Sequence, residues 1–169
     1  MIFEQTVLDA LEAVEPARWE GEVWRVVLGA RNPLLANTTG ARWNPRDTAA
    51  LYASLERGTV LAELDHLRSI QTPPTRRSAY RLHLIRVRVD RMLDLRELGL
   101  LESMGVGPAE LAADDYSSCQ GVGGAAAWLG VDAVLVPSAR IEGNNLVVFT
   151  DKQDPDAPLE LVSTEDVVD

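Results

Sequence analysis

The sequence predicts an α+β fold: a single domain over residues 1–169 with a mixed, mainly antiparallel central sheet flanked by helices. Three observations carry this. β-branched and aromatic runs at residues 23–28, 51–54, 80–89, 133–136 and 146–150 gather in the middle and towards the end of the chain. Apolar residues at helical spacing fall before and between them. The 169 residues are 46% hydrophobic with no internal repeat or linker, a size suited to one core.

The elements follow in order. Val7, Leu8, Leu11 and Val14 share a helical face over residues 5–14, and Pro16 ends that helix. VWRVVL at 23–28 reads as a strand with one charge, Arg25, inside it; such a charge faces solvent or a cleft, because burying it unpaired is costly. Residues 29–47 form a long polar loop with Asn32-Pro33, Gly40 and Asn44-Pro45, a length common in functional loops. A short strand at 51–54 precedes a helix at 59–68, with Thr59 expected as N-cap and Leu61, Leu64 and Leu67 as its apolar stripe. YRLHLIRVRV at 80–89 alternates but changes phase between Leu84 and Ile85, which predicts a bulge or bend there. Short helices are expected at 97–104 and at 108–113, the latter opened by Pro108, then a small-residue helix at 117–129. A strand at 133–136, a turn at 137–140, a bend at Gly143-Asn144-Asn145, a strand at 146–150 and an edge strand at 159–163 complete the reading.

Several classes are excluded. The longest uncharged run, residues 116–131, is short and carries four glycines, so no membrane-spanning helix is expected. The opening MIFEQTVLDALEAVE is acidic and amphipathic, unlike a secretory leader. One cysteine, Cys119, and two histidines, His66 and His83, leave no internal disulfide and no dense metal site, and a cytoplasmic location fits. Gly121-Val122-Gly123-Gly124 lacks the spacing of a dinucleotide-binding loop.

The net charge of −10 hides an uneven distribution. Residues 1–22 carry −5 and residues 151–169 carry −6, whereas residues 23–91 hold twelve arginines against five acids. Guanidinium suits forked recognition of phosphate or carboxylate, so this basic middle points to an anionic ligand despite the acidic total.

Candidate chemistry rests on polar residues in unusual places: Arg25 in an apolar strand, Arg42-Trp43-Asn44 in the long loop, Tyr52 in a short strand, Glu63 inside an apolar helical run and Ser138 after an apolar strand. Two arginines, a tyrosine, a serine and one carboxylate suffice to hold a phosphate-bearing substrate and stabilise a cationic transition state.

The segments VWRVV, GARWNPRDTAALYAS, TVLAELDH, MLDL and VLVPSARIEGNNLVVF, in that order over residues 23–150, resemble the RES domain family. The resemblance implies a fold like that of ADP-ribosyltransferase toxins and a role as the toxin of a type II toxin–antitoxin module. Such toxins deplete NAD+ by hydrolysis or phosphorolysis of the bond to nicotinamide. It also implies an Xre-type helix-turn-helix antitoxin whose C-terminal end blocks the active site. NAD+ is then substrate, with inorganic phosphate as the alternative acceptor to water, and neither a further cofactor nor a metal is implied. Carried over by position, Arg25, Tyr52 and Glu63 are the catalytic set, and Arg25, Arg42, Tyr52 and Ser138 bind NAD+. Arg25 or Arg42 would hold the pyrophosphate, Tyr52 would stack on nicotinamide, Ser138 would donate a hydrogen bond, and Glu63 would stabilise the oxocarbenium-like ribose while gripping its hydroxyls. Val26 and Asp47 depart from the family's usual Tyr and Gly. Transfer of ADP-ribose to a macromolecule, a nucleic-acid-binding regulator and a catalytically silent interaction module are the competing readings. No direct nucleic-acid binding is expected of an acidic chain without such a motif, and the sequence leaves a homodimer open.

Overall fold

The computed structural model describes residues 2–139 and 141–169. Among these residues six strands make one sheet: β1 (Ala17–Leu28), β2 (Leu51–Ser54), β3 (Tyr80–Asp94), β4 (Ala133–Pro137), β5 (Asn144–Val148) and β6 (Leu159–Asp166). Their order is β1-β2-β5-β4-β3-β6, and β1 also pairs with β3. That extra pairing closes β1, β2, β5, β4 and β3 into a ring, with β6 added along β3. All pairings are antiparallel except β3 with β4.

The alternation of each strand explains the layering. Val23, Leu51, Ala53, Ile85, Val87, Val89, Ala133, Leu135, Leu146 and Val148 come from all five ring strands and form one buried cluster, the ring's interior. The opposite faces of β4 and β5 present Val134, Val136 and Val147 to a second core. That core is completed by α1 (Gln5–Glu12), α3 (Leu98–Ser103), α4 (Pro108–Ala112) and α5 (Ser117–Trp128). A third cluster joins Val60 and Leu64 of α2 (Arg57–Ile70) to Tyr80, Leu82 and Val167.

The phase change in β3 has its explanation here. Tyr80 and Leu82 face α2, whereas Ile85, Val87 and Val89 face the ring interior. β3 keeps continuous register with β1 through this point, and the expected irregularity between Leu84 and Ile85 lies in its ladder with β6, where Val162 is the extra residue. One unbroken strand passes from one core to another.

Three local expectations are corrected. α2 starts at Arg57, not at Thr59, and its extended N-cap residue is Glu56. Thr59 instead lies buried in the first turn and donates to the Glu142 carbonyl at 3.4 Å. Asn144 and Asn145 are strand residues of β5, not a bend, because they continue its ladder with β4 opposite Pro137 and Val136. β1 begins at Ala17, since the polar stretch before Val23 pairs with β3 and Trp19 packs against the ring-interior cluster. Arg140, within the VPSAR motif, lies outside the described residues.

The arginine-rich middle is not one phosphate-binding cluster. Arg57 pairs with Glu165, Arg68 and Arg77 with Asp65, Arg81 with Asp166, Arg86 with Glu22 and Arg88 with Asp90. These largely exposed pairs neutralise β3, α2 and their neighbours locally.

Candidate active site

A cleft of about 260 Å³ opens between α2, the ends of β4 and β5, and the loops that carry Arg42 and Tyr116. Helical spacing puts Glu63, His66, Leu67 and Ile70 on its α2 wall. Tyr52 and Asn145 face it from β2 and β5, and Ser138 follows the last residue of β4.

The Glu63 carboxylate is held by named donors. Its Oε1 accepts from the Ser138 hydroxyl at 2.5 Å and from Asn145 Nδ2 at 2.9 Å. Ser54 Oγ lies 3.5 Å from Oε2 and donates at 2.8 Å to Asn145 Oδ1. Charge-assisted bonds of this kind fix a carboxylate's orientation.

The aromatic wall is equally anchored. Tyr52 donates to Asn44 Oδ1 at 2.6 Å and accepts the Trp43 N–H at 2.8 Å. Burial pushes the phenol well above its ordinary range, against the opposing pull of the backbone N–H groups of Trp43 and Asn44 and of the Arg42 charge, so Tyr52 stays neutral and its ring serves as surface. Asn44, fully buried, ties the loop to itself through the Asn37 and Thr48 carbonyls. The loop in turn rests on α5, where a Cβ on Gly123 would lie 1.7 Å from the Trp43 carbonyl oxygen. Gly123 and Gly124, in the tract whose spacing already set it apart from a dinucleotide-binding loop, form a packing surface.

Four of the five sequence-predicted residues, Arg42, Tyr52, Glu63 and Ser138, line this cleft. Arg42 Nη1 donates to the Leu111 and Ala113 carbonyls at 2.6 and 3.0 Å, and its guanidinium sits 4.5 Å over the Tyr116 ring. Arg25 is not among the lining residues. It donates to the backbone carbonyl of Tyr52 at 2.7 Å, so it braces β2 from behind. Sequence reasoning missed Asn145, Ser54, His66 and Tyr116. His66 was findable at one turn from Glu63; Ser54 and Asn145 needed the strand register.

A carboxylate tethered by a hydroxyl and an amide, facing aromatic walls on a closed strand ring, defines a small-molecule enzyme site suited to stabilising developing positive charge. A family model for the RES domain matches residues 17–167, and the chain belongs to that family. The match extends beyond the stretch of motifs in the sequence and takes in β6, so the acidic C-terminal segment is part of the domain. The chain is 29% identical over 157 residues to the NAD(+) phosphorylase MbcT of Mycobacterium tuberculosis and of Mycobacterium bovis, covering 89% of this chain and 83% of each relative. It is also similar to a chain in the crystal structure of the M. tuberculosis MbcT–MbcA toxin–antitoxin complex. There the TM-score is 0.84 and the identity 27%, over 97% of this chain and 93% of that one.

Proposed function

We propose that this protein is the toxin of a toxin–antitoxin pair and cleaves the nicotinamide–ribose bond of NAD+ in the cytoplasm, with inorganic phosphate as acceptor. The observation that carries the reading is Glu63, held by Ser138 and Asn145 in an aromatic-walled cleft of a RES domain. MbcT's description as an NAD(+) phosphorylase supports phosphate over water.

The chemistry follows from the substrate. As the C–N bond lengthens, nicotinamide departs with the bonding pair as a neutral base, so no general acid is needed. The anomeric carbon becomes cationic, and the fixed negative charge of Glu63 stabilises it without reorganising. Phosphate then forms the new bond to that carbon, leaving ADP-ribose phosphorylated at its anomeric position. Tyr52 and Tyr116 offer faces for nicotinamide, and Ser138 steadies Glu63. Arg42, whose guanidinium lines the cleft over Tyr116, would meet the pyrophosphate. Arg25 acts by holding β2.

The partner is a cognate helix-turn-helix antitoxin. Leu67 and Ile70, 44% and 61% exposed beside the cleft, are apolar surface that such a partner would cover. The test is nicotinamide release from NAD+ by antitoxin-free protein, with and without phosphate. Release that depends on phosphate and drops about 100-fold or more in Glu63→Gln is expected. No release under either condition would refute the proposal, and a labelled macromolecule from labelled NAD+ would redirect it to ADP-ribosyl transfer.

A further inference from the structure

Resting on the NAD+-cleaving reading, we infer that Asn145 and Ser54 are positioning residues that hold Glu63 by one carboxylate oxygen and leave the other for the substrate. The two oxygens of Glu63 are treated differently. Oε1 accepts two short bonds, from Ser138 and Asn145, while among the described residues the hydrogen bond to Oε2 is a long one from Ser54 at 3.5 Å. Ser54 has a single hydroxyl proton, and its bond to Asn145 Oδ1 at 2.8 Å is the shorter. That proton therefore goes to Asn145.

This settles which way the amide faces. Oδ1 can only accept, so it turns to Ser54, and Nδ2 must turn to Glu63. Ser54 is 1% exposed, and a buried hydroxyl without a partner would be costly, so the relay resists flipping. The backbone sets the spacing, because Ser54 and Asn145 lie directly opposite each other in the β2–β5 ladder. Ser138 clamps the same oxygen from the end of β4. Oε2 is thereby presented to the ribose, where a grip on a hydroxyl and the field at the anomeric carbon both need a fixed position.

The test is a kinetic cycle on nicotinamide release with Ser54→Ala, Asn145→Ala, the double variant and Asn145→Asp, each checked by its thermal melt. Asn145→Ala is expected to lower kcat about 30-fold with the KM for NAD+ within about threefold. Ser54 acts only through Asn145, so the double variant falls no further than Asn145→Ala. Asn145→Asp keeps the size but sets a carboxylate against Glu63, and its kcat falls below that of Asn145→Ala. An independent readout is the Asn145 side-chain amide in nitrogen–proton NMR spectra, whose exchange with water is slow in the wild type and fast in Glu63→Ala. A raised KM with unchanged kcat, additive single losses, full activity in Asn145→Asp, or an amide indifferent to Glu63 would each overturn the inference. A wild type that releases no nicotinamide while its amide stays protected would sink the substrate reading and leave the tether standing.

Discussion

Gly123→Ala tests whether the long loop carrying Arg42, Trp43 and Asn44 is placed by α5. An added Cβ would lie 1.7 Å from the Trp43 carbonyl oxygen and 2.7 Å from its carbonyl carbon, both backbone atoms. Ordinary contact begins near 3.4 Å, so helix and loop must separate by more than an ångström and a half. Overpacking of that kind costs about 1–3 kcal/mol. In a domain of this size it lowers the melting temperature by about 3–10 °C. The displacement also loosens the Trp43 N–H bond to Tyr52, so nicotinamide release falls along with stability. Gly121→Ala, two residues earlier in the same helix, is the control: a Cβ there would meet no atom within 4 Å, and the gain in helix propensity is about 0.5–1 kcal/mol. The assay is urea denaturation of both variants beside the wild type. If Gly123→Ala matched Gly121→Ala in stability, or melted within a degree of the wild type, the loop would not depend on that contact.

Two further outcomes follow from other contacts. Tyr52→Phe keeps the ring but leaves the Trp43 N–H and Asn44 Oδ1 without their partner. The expected loss is about 1–3 kcal/mol in denaturation, with nicotinamide release reduced but retained. His83 is 4% exposed, and burial, aided by Arg81 and Arg25, lowers its pKa from the ordinary 6.5. The unfolded chain therefore takes up the proton first. The stability due to neutral His83 is complete above pH 6.5 and is lost as pH falls from there through the lower folded value. His83→Gln should flatten that part of the stability–pH curve, and equal slopes in the two proteins would refute the assignment.

Much of the architecture could be read from local pattern. Val23 to Leu28 and the run from Ala133 are strands because β-branched residues pack on a pleated surface, and pattern alone finds them, as it finds the short Leu51 to Ser54 strand around its one aromatic, Tyr52. Glu63 was legible because a carboxylate stood inside a leucine stripe. What escaped was set by partners distant in sequence. ARWEGE before Val23 looks like loop, yet it pairs with β3, whose own tail RMLD reaches Asp94. Gly143-Asn144-Asn145 has turn composition, and Gly143 does adopt a positive φ of 132°. Only pairing with β2 and β4 makes the asparagines strand and puts Asn145 beside Glu63. Arg25 showed the reverse limit: its odd placement was visible, but whether it met the cleft or braced the strand behind it depended on the carbonyl of Tyr52.

The closed ring of strands divides the cleft into two halves that differ in how freely they can be redesigned. On β2, Tyr52 and Ser54 alternate with Leu51 and Ala53 of the ring interior, and on β5 Asn145 alternates with Leu146 in the same way. Shifting either strand by one residue would trade a site side chain for a core one, and the ring has no free edge between them to absorb the change. That half behaves as a fixed die. His66, Leu67 and Ile70 on α2 and Tyr116 before α5 hold no strand in register, so an engineer altering acceptor preference or antitoxin fit would mutate those positions first.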